Sequence, residues 1–230
     1  MTTAYTDLCA PEVPVGIYPP QQDSHLLIDA MVQSGVVPGA RVADLCTGSG
    51  VVANAAAAAG AAAVTAFDIC PLAVQHARKG AHAEGLDVRV HRGSWSRAVE
   101  FAPFDVVVAN PPYVPQAPVD DSDAIPATAG PAYAWNAGPT GRSVLDPLCA
   151  TVPLLLDEGG TFLLVQSECA GITTTISALE AFGMRVDIVA QQCIPLGPVM
   201  SARAKWLMRR GLLRHGRAAE TIVVIRADAP

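Results

Sequence analysis

Aromatic and charged side chains are both scarce here, at 5% and 16% of 230 residues. With 51% hydrophobic residues, the chain falls outside the low-hydropathy, high-charge composition of disordered proteins and reads as globular. Runs of about 18 consecutive apolar residues are missing, so no membrane-spanning helix is expected. Much of the apolar count is alanine. The first residues lack a cationic patch followed by an apolar core, so no signal peptide is expected and the location is cytoplasmic. The cysteines Cys9, Cys46, Cys70, Cys149, Cys169 and Cys193 are scattered, and none forms a Cys-x-x-Cys pair. Zinc and dithiol readings therefore lack support, no metal is expected, and reduced, buried thiols acting as small hydrophobes are the simpler reading. A net charge of −6 speaks against a general polyanion binder.

Short apolar runs alternate with helical patterns, the mark of a parallel α/β sheet. Strands are expected near 41–46, 63–68, 87–92, 104–109, 160–166, 184–191 and 220–227. Helices are expected near 24–34, 50–59, 71–84, 143–157 and 171–182, with Pro71 in a first helical turn and Gly60 ending an alanine-rich helix. This makes one domain over 1–230, led by a segment and helix over 1–36. Proline and glycine are dense in 111–142, which reads as one long functional loop. A second irregular stretch, 194–218, holds Arg203, Lys205, Arg209, Arg210, Arg214 and Arg217 with no acid. It is either a solvated basic segment or a docking surface for an acidic or RNA-associated partner.

The β-branched run Phe104-Asp105-Val106-Val107-Val108-Ala109 reads as a buried strand, stopped by two prolines in Asn110-Pro111-Pro112-Tyr113. It delivers an Asn and a Tyr to the carboxyl edge of the sheet, where open α/β folds bind ligands. The Asn110 side-chain oxygen and the Pro111 carbonyl both accept hydrogen bonds and can hold a planar NH2 group, while the Tyr113 ring can stack on it. Upstream, Val42-Ala43-Asp44-Leu45-Cys46-Thr47-Gly48-Ser49-Gly50 is a strand running into a Gly-x-Gly turn, with Ala53 at the place of a third glycine. Asp68 ends the next strand, where a carboxylate can accept two ribose hydroxyl hydrogens or cap a helix.

In this order the motifs resemble a class I S-adenosylmethionine (SAM) methyltransferase with a Rossmann-like, seven-stranded, mostly parallel sheet and an antiparallel last strand. Within that class the chain resembles the HemK-type glutamine methyltransferases of peptide release factors. Ile17-Tyr18-Pro19-Pro20-Gln21-Gln22-Asp23-Ser24-His25-Leu26-Leu27 is similar to the family's Tyr-x-Pro-x-Glu-Asp-Ser/Thr-x-Leu-Leu. Trp135-Asn136-Ala137-Gly138-Pro139-Thr140-Gly141-Arg142 is similar to its Trp-x-Gly-Gly-x-x-Gly-Arg, and 217–226 to its last strand. Gln22, Ala137 and Ser94 depart from the pattern; Ser94 stands where an Asp often meets the adenine amino group.

The resemblance implies SAM held by Asp44, Thr47, Gly48, Gly50, Asp68, Ile69, Ser94, Trp95 and Asn110. It implies an acceptor held by Tyr18, Pro20, Asn110, Pro111, Pro112 and Tyr113, with Asn110, Pro111 and Tyr113 carrying the chemistry. It also implies a protein substrate of the release-factor kind. The similarity is to the short form without an N-terminal helical domain, whose members often work with a small zinc-binding activator subunit. For Trp95 a structural plug of the sheet edge is an equal reading, and for His25 a place in the core is the simpler one. Trp135, Gly138, Gly141 and Arg142 read either as a peptide-binding wall or as a loop folding back. Methylation of adenine N6 or guanine N2 in a nucleic acid is the competing function, and small-molecule N-methylation stays open. An inactive SAM-binding subunit is a third class, against which the intact Asn110 and Tyr113 speak.

Overall fold

The computed structural model describes residues 13–230, so Cys9 and the first part of the 1–36 segment lie outside the described residues. Strands β1 (Arg41–Leu45), β2 (Ala63–Asp68), β3 (Val88–Arg92), β4 (Phe104–Ala109), β5 (Leu156–Ser167), β6 (Arg185–Pro195) and β7 (Ala219–Asp228) form one sheet in the order β3-β2-β1-β4-β5-β7-β6. All neighbouring pairs up to β4–β5 are parallel, and β7 runs antiparallel to both β5 and β6. The strand order reverses beside β1, between β1 and β4. The crevice that forms at such a switch point lies at the strands' carboxyl ends.

Helices α1 (Gln22–Gln33), α2 (Val51–Ala58), α3 (Pro71–Ala83), α4 (Leu145–Thr151), α5 (Ile172–Glu180) and α6 (Pro198–Arg209) complete the fold. Alternation along β4 feeds the two faces of the sheet. Val106 and Val108 pack with Leu27, Met31 and Val52 on one side. Val107 and Ala109 pack with Leu145, Leu148 and Phe162 on the other. Among the described residues, no helix is long and apolar enough to cross a membrane.

Two expected elements are corrected. The helix expected over 143–157 ends at Thr151, followed by one 3-10 turn over Val152–Leu154. Pro153 has no N–H to continue the ladder, and β5 has begun by Leu156. The stretch 194–218 is not irregular throughout, because α6 occupies about half of it. Val199, Met200, Arg203, Trp206 and Leu207 are its buried face, so an arginine interrupts the apolar stripe that would have announced a helix.

The basic segment is correspondingly divided. Arg203 stacks over the Trp135 ring, 4.6 Å from its centroid, and donates to the Pro115 carbonyl at 2.7 Å. Arg209 pairs with Asp121, and Arg217 with Glu168. That leaves Lys205, Arg210 and Arg214 exposed. His25, expected in the core, is exposed on α1.

Candidate active site

A cleft opens at the carboxyl edge, where β1, β2 and β4 end. It encloses about 970 Å³, its open mouth included, within the usual size of small-molecule sites. Asp44, Thr47, Gly48, Asp68, Ile69, Ser94, Trp95, Asn110, Tyr18, Pro20 and Pro112 all line it. Sequence positions from 18 to 112 are thus brought together by the parallel crossovers.

The β1 turn makes one wall. The Asp44 carboxyl is 1% exposed and accepts from the Thr47 hydroxyl at 2.5 Å. Burial pushes its pKa up to about 7. Asp68 accepts the backbone N–H of Gly48 on one oxygen and that of Cys70 on the other, each at 2.8 Å. Each oxygen keeps a lone pair for a ligand hydroxyl. Burial also raises the Asp68 pKa, against those hydrogen bonds. Gly48 has φ +55, and a Cβ there would meet nothing within 4 Å. Its backbone therefore lies open to a close ligand.

Gly50 behaves differently from what the resemblance implies. It is absent from the lining and caps α2 with φ +87, and a Cβ would stand 2.8 Å from that of Ala77. It lets α2 approach α3 rather than a ligand.

Asn110 and its turn make the other wall. The Asn110 side-chain amide donates to the Ser24 hydroxyl at 3.2 Å. Pro111 is buried. Among the described residues, its carbonyl accepts no backbone hydrogen bond. Tyr113 is a second correction. It lies not in the main cleft but in an adjoining cavity of about 530 Å³, with Asp23, Trp135, Met200 and Glu220. Tyr18 lines both spaces. The Tyr113 hydroxyl donates to Asp23 at 2.9 Å. Glu220 is hydrogen-bonded to Ser167, and burial raises its pKa to about 7.

The loop 111–142 folds over these walls. Its Val114–Asn136 bridge and the Ala137-to-Val114 backbone bond at 3.0 Å close it on itself. The Tyr133 hydroxyl reaches across to the Cys70 sulfur at 2.9 Å. Gly141 is required because a Cβ would lie 2.4 Å from the Tyr113 carbonyl. Arg142 is buried and donates to the Ala170 carbonyl at 2.6 Å, so it ties the loop back to the turn between β5 and α5. Of that motif, Trp135 lines the adjoining cavity.

Sequence reasoning missed Glu220, Tyr133, Cys46 and Cys70; the stretch from Tyr18 to Ser24 reads, without the resemblance, as a proline-rich lead-in with Ser24 capping a helix, and by resemblance as lining the cofactor and substrate channel. No side chain caps α1. The available signal was an Asp-Ser pair between a proline-rich lead-in and a helix. An acid there suits the helix dipole equally well, which hid its role.

Known proteins resemble the chain in sequence and in fold. Residues 20–125 match the model of the methyltransferase small domain. A Methanocaldococcus jannaschii protein, named provisionally as a protein N5-glutamine methyltransferase, is 29% identical over 82% of this chain and 91% of its own. The release factor glutamine methyltransferase of Deinococcus radiodurans is 34% identical over 75% of this chain and 61% of its own.

The chain is a methyltransferase of the class I fold, similar to the HemK-type glutamine methyltransferases.

It spans less than two thirds of the length of the bacterial release factor enzymes that it matches. The fold of this methyltransferase is also that of the E. cuniculi Mtq2-Trm112 complex, responsible for the methylation of the eRF1 translation termination factor. That likeness has a TM-score of 0.60 and 22% identity, over 94% of this chain and 99% of that one. Methyltransferases of this class use SAM, and the residues present fit it. Gly48 offers open backbone, Asp68 offers free lone pairs, and Ile69 and Trp95 offer apolar surface for a flat ring.

Proposed function

We propose that this methyltransferase transfers the SAM methyl group to the side-chain amide nitrogen of a glutamine in a protein of the release-factor kind. The observation that carries the reading is the Asn110 carboxamide at the cleft wall, its nitrogen held by Ser24 and its oxygen left free. SAM, when bound, supplies a strongly electrophilic methyl on a sulfonium centre.

The chain's own residues supply position. Asp44, Gly48 and Asp68 would hold the cofactor, with Ser94 and Trp95 near its base. Asn110 Oδ1 and the Pro111 carbonyl accept the two hydrogens of the acceptor NH2. An amide nitrogen is a poor nucleophile because its lone pair is delocalised. Two acceptors beside it favour the pyramidal, partly positive nitrogen of the transition state over the planar ground state. Asn110 is not a base, so the proton leaves to solvent or a backbone carbonyl. Alignment of the reacting atoms supplies most of the rate. Tyr18 and Tyr113 would line the path of the substrate loop. We place the enzyme in the cytoplasm with its substrate.

The experiment is methyl transfer from labelled SAM to release factor, tRNA and DNA in parallel. It is run with the chain alone and with a small activator subunit of the Trm112 kind. Release factor should be labelled on its acceptor glutamine, and Gln→Asn or Gln→Glu at that position should abolish labelling. Asn is one methylene short, and Glu offers no NH2. Label confined to nucleic acid, weakening steeply with salt as phosphate contacts do, would overturn the reading.

A further inference from the structure

We propose that Asp23 is a positioning residue that sets, through Ser24, which end of the Asn110 carboxamide faces the cleft. A carboxamide has a donor end and an acceptor end of nearly equal shape, so an isolated Asn has no means of choosing between them. A serine hydroxyl next to it does not choose either, because it can donate or accept. A carboxylate only accepts, and Asp23 supplies that asymmetry. Its Oδ1 accepts the Ser24 backbone N–H at 2.7 Å and the Ser24 hydroxyl at 3.4 Å.

With its proton directed to Asp23, the Ser24 oxygen turns lone pairs toward Asn110 and accepts from Nδ2 at 3.2 Å. Asn110 Oδ1 is then the free end. Reversal would present an NH2 group to the acceptor's own NH2, and neither could accept.

The same carboxylate fixes the far end of the turn. Asp23 Oδ2 accepts from the Tyr113 hydroxyl at 2.9 Å and from that of Tyr18 at 3.5 Å. Burial, then the nearby Asp23 charge, raises both tyrosine pKa values, so both hydroxyls keep their protons and donate. Asp23 and Ser24 are 4% and 5% exposed, which limits competition from water for these bonds. One acid in the first turn of α1 thus orients both functional side chains of a turn that lies some 86 to 90 positions away.

The effect on turnover rests on the methyl-transfer reading; the geometry rests on the hydrogen bonds alone. Two readouts keep them apart. The first is the side-chain amide signal of Asn110 in a nitrogen-15 spectrum, assigned by its loss in Asn110→Asp. Its protons should exchange slowly with water in the wild type and in Ser24→Thr, and rapidly in Ser24→Ala and Asp23→Asn. The second is turnover on release factor. Ser24→Ala and Asp23→Asn should lower kcat roughly tenfold to a hundredfold, the scale of a small misplacement, with SAM affinity and the KM for protein unchanged, and Ser24→Thr should restore it.

Wild-type exchange and wild-type turnover in both Ser24→Ala and Asp23→Asn would overturn the proposal. If Asp23→Asn fails to fold, the contrast between Ser24→Ala and Ser24→Thr decides. If the wild type labels no protein, the function reading fails, and the exchange measurement still decides the polarity.

Discussion

The two walls of the cleft are assembled in opposite ways. The wall at β1 and β2 is local: Gly48 and Asp68 are bonded across 20 positions, and the groups facing the cleft are backbone amides and short acids. The wall at Asn110 is remote, since Ser24 and Asp23 meet Asn110 and Tyr113 across 86 and 90 positions. The loop 111–142, α6 and β7 then close the space behind it. A local wall can serve any reaction of the bound cofactor. A remote wall is shaped by several elements at once, which is where selectivity for one acceptor would be built. On the proposed function, the difference makes binding and choice separable, and substitutions should separate them.

The sharpest break comes at Asn110. Asn110→Ala removes the acceptor of the remote wall and leaves the Asp68–Gly48 bond intact. By analogy with loss of one oxyanion-hole donor, turnover should fall about 10²- to 10³-fold. Calorimetry should find SAM affinity nearly unchanged. A variant with wild-type turnover would reduce the Asn-Pro-Pro-Tyr turn to a rigid chain reversal.

The converse break is Asp68→Ala. It removes a ligand acceptor and also frees the amides of Gly48 and Cys70 that Asp68 now holds. SAM affinity should fall by about 1–3 kcal/mol, the scale of hydrogen bonds to a charged group. Saturating SAM should recover most of the turnover, because the remote wall is untouched. Unchanged affinity in a folded variant would remove Asp68 from the cofactor site.

The same contrast explains how far the sequence could be read. The local wall was legible because strand, glycine turn and terminal acid follow one another, and the seven strands were legible from their apolar runs. Gly50 is ambiguous in sequence, because a glycine needed for contact with Ala77 looks the same as one needed for contact with a ligand. Asp23 and Glu220 have no local signature, since a helix-start acid and a strand-start acid are ordinary until the fold buries them together. The helix α6 was hidden by Arg203, whose place in an apolar face makes sense only once Trp135 and the Pro115 carbonyl are beside it.

The smallest effect tests whether the walls are also independent in stability. Each holds one buried acid with a pKa raised to about 7, Asp44 in the local wall and Glu220 in the remote one, burial being the main cause in both. The folded state therefore holds these protons more tightly than the unfolded chain. Between the unfolded values near 4 and the folded values near 7 the native state binds more protons, so stability falls as pH rises through that window. It is fully present below the window and lost above it. Glu220→Gln keeps an oxygen for the Ser167 hydroxyl and has no charge to bury. It should stabilise the protein at pH 8 by on the order of 1–2 kcal/mol relative to pH 5, a discounted share of the shift. SAM affinity should not change, because Glu220 lies outside the main cleft. Asp44→Asn should flatten the same pH slope while weakening SAM. Urea midpoints at pH 5 and 8, paired with calorimetry, check both. If Glu220→Gln leaves the slope unchanged, or alters SAM affinity as strongly as Asp44→Asn does, the two walls act as one and the division between binding and choice fails.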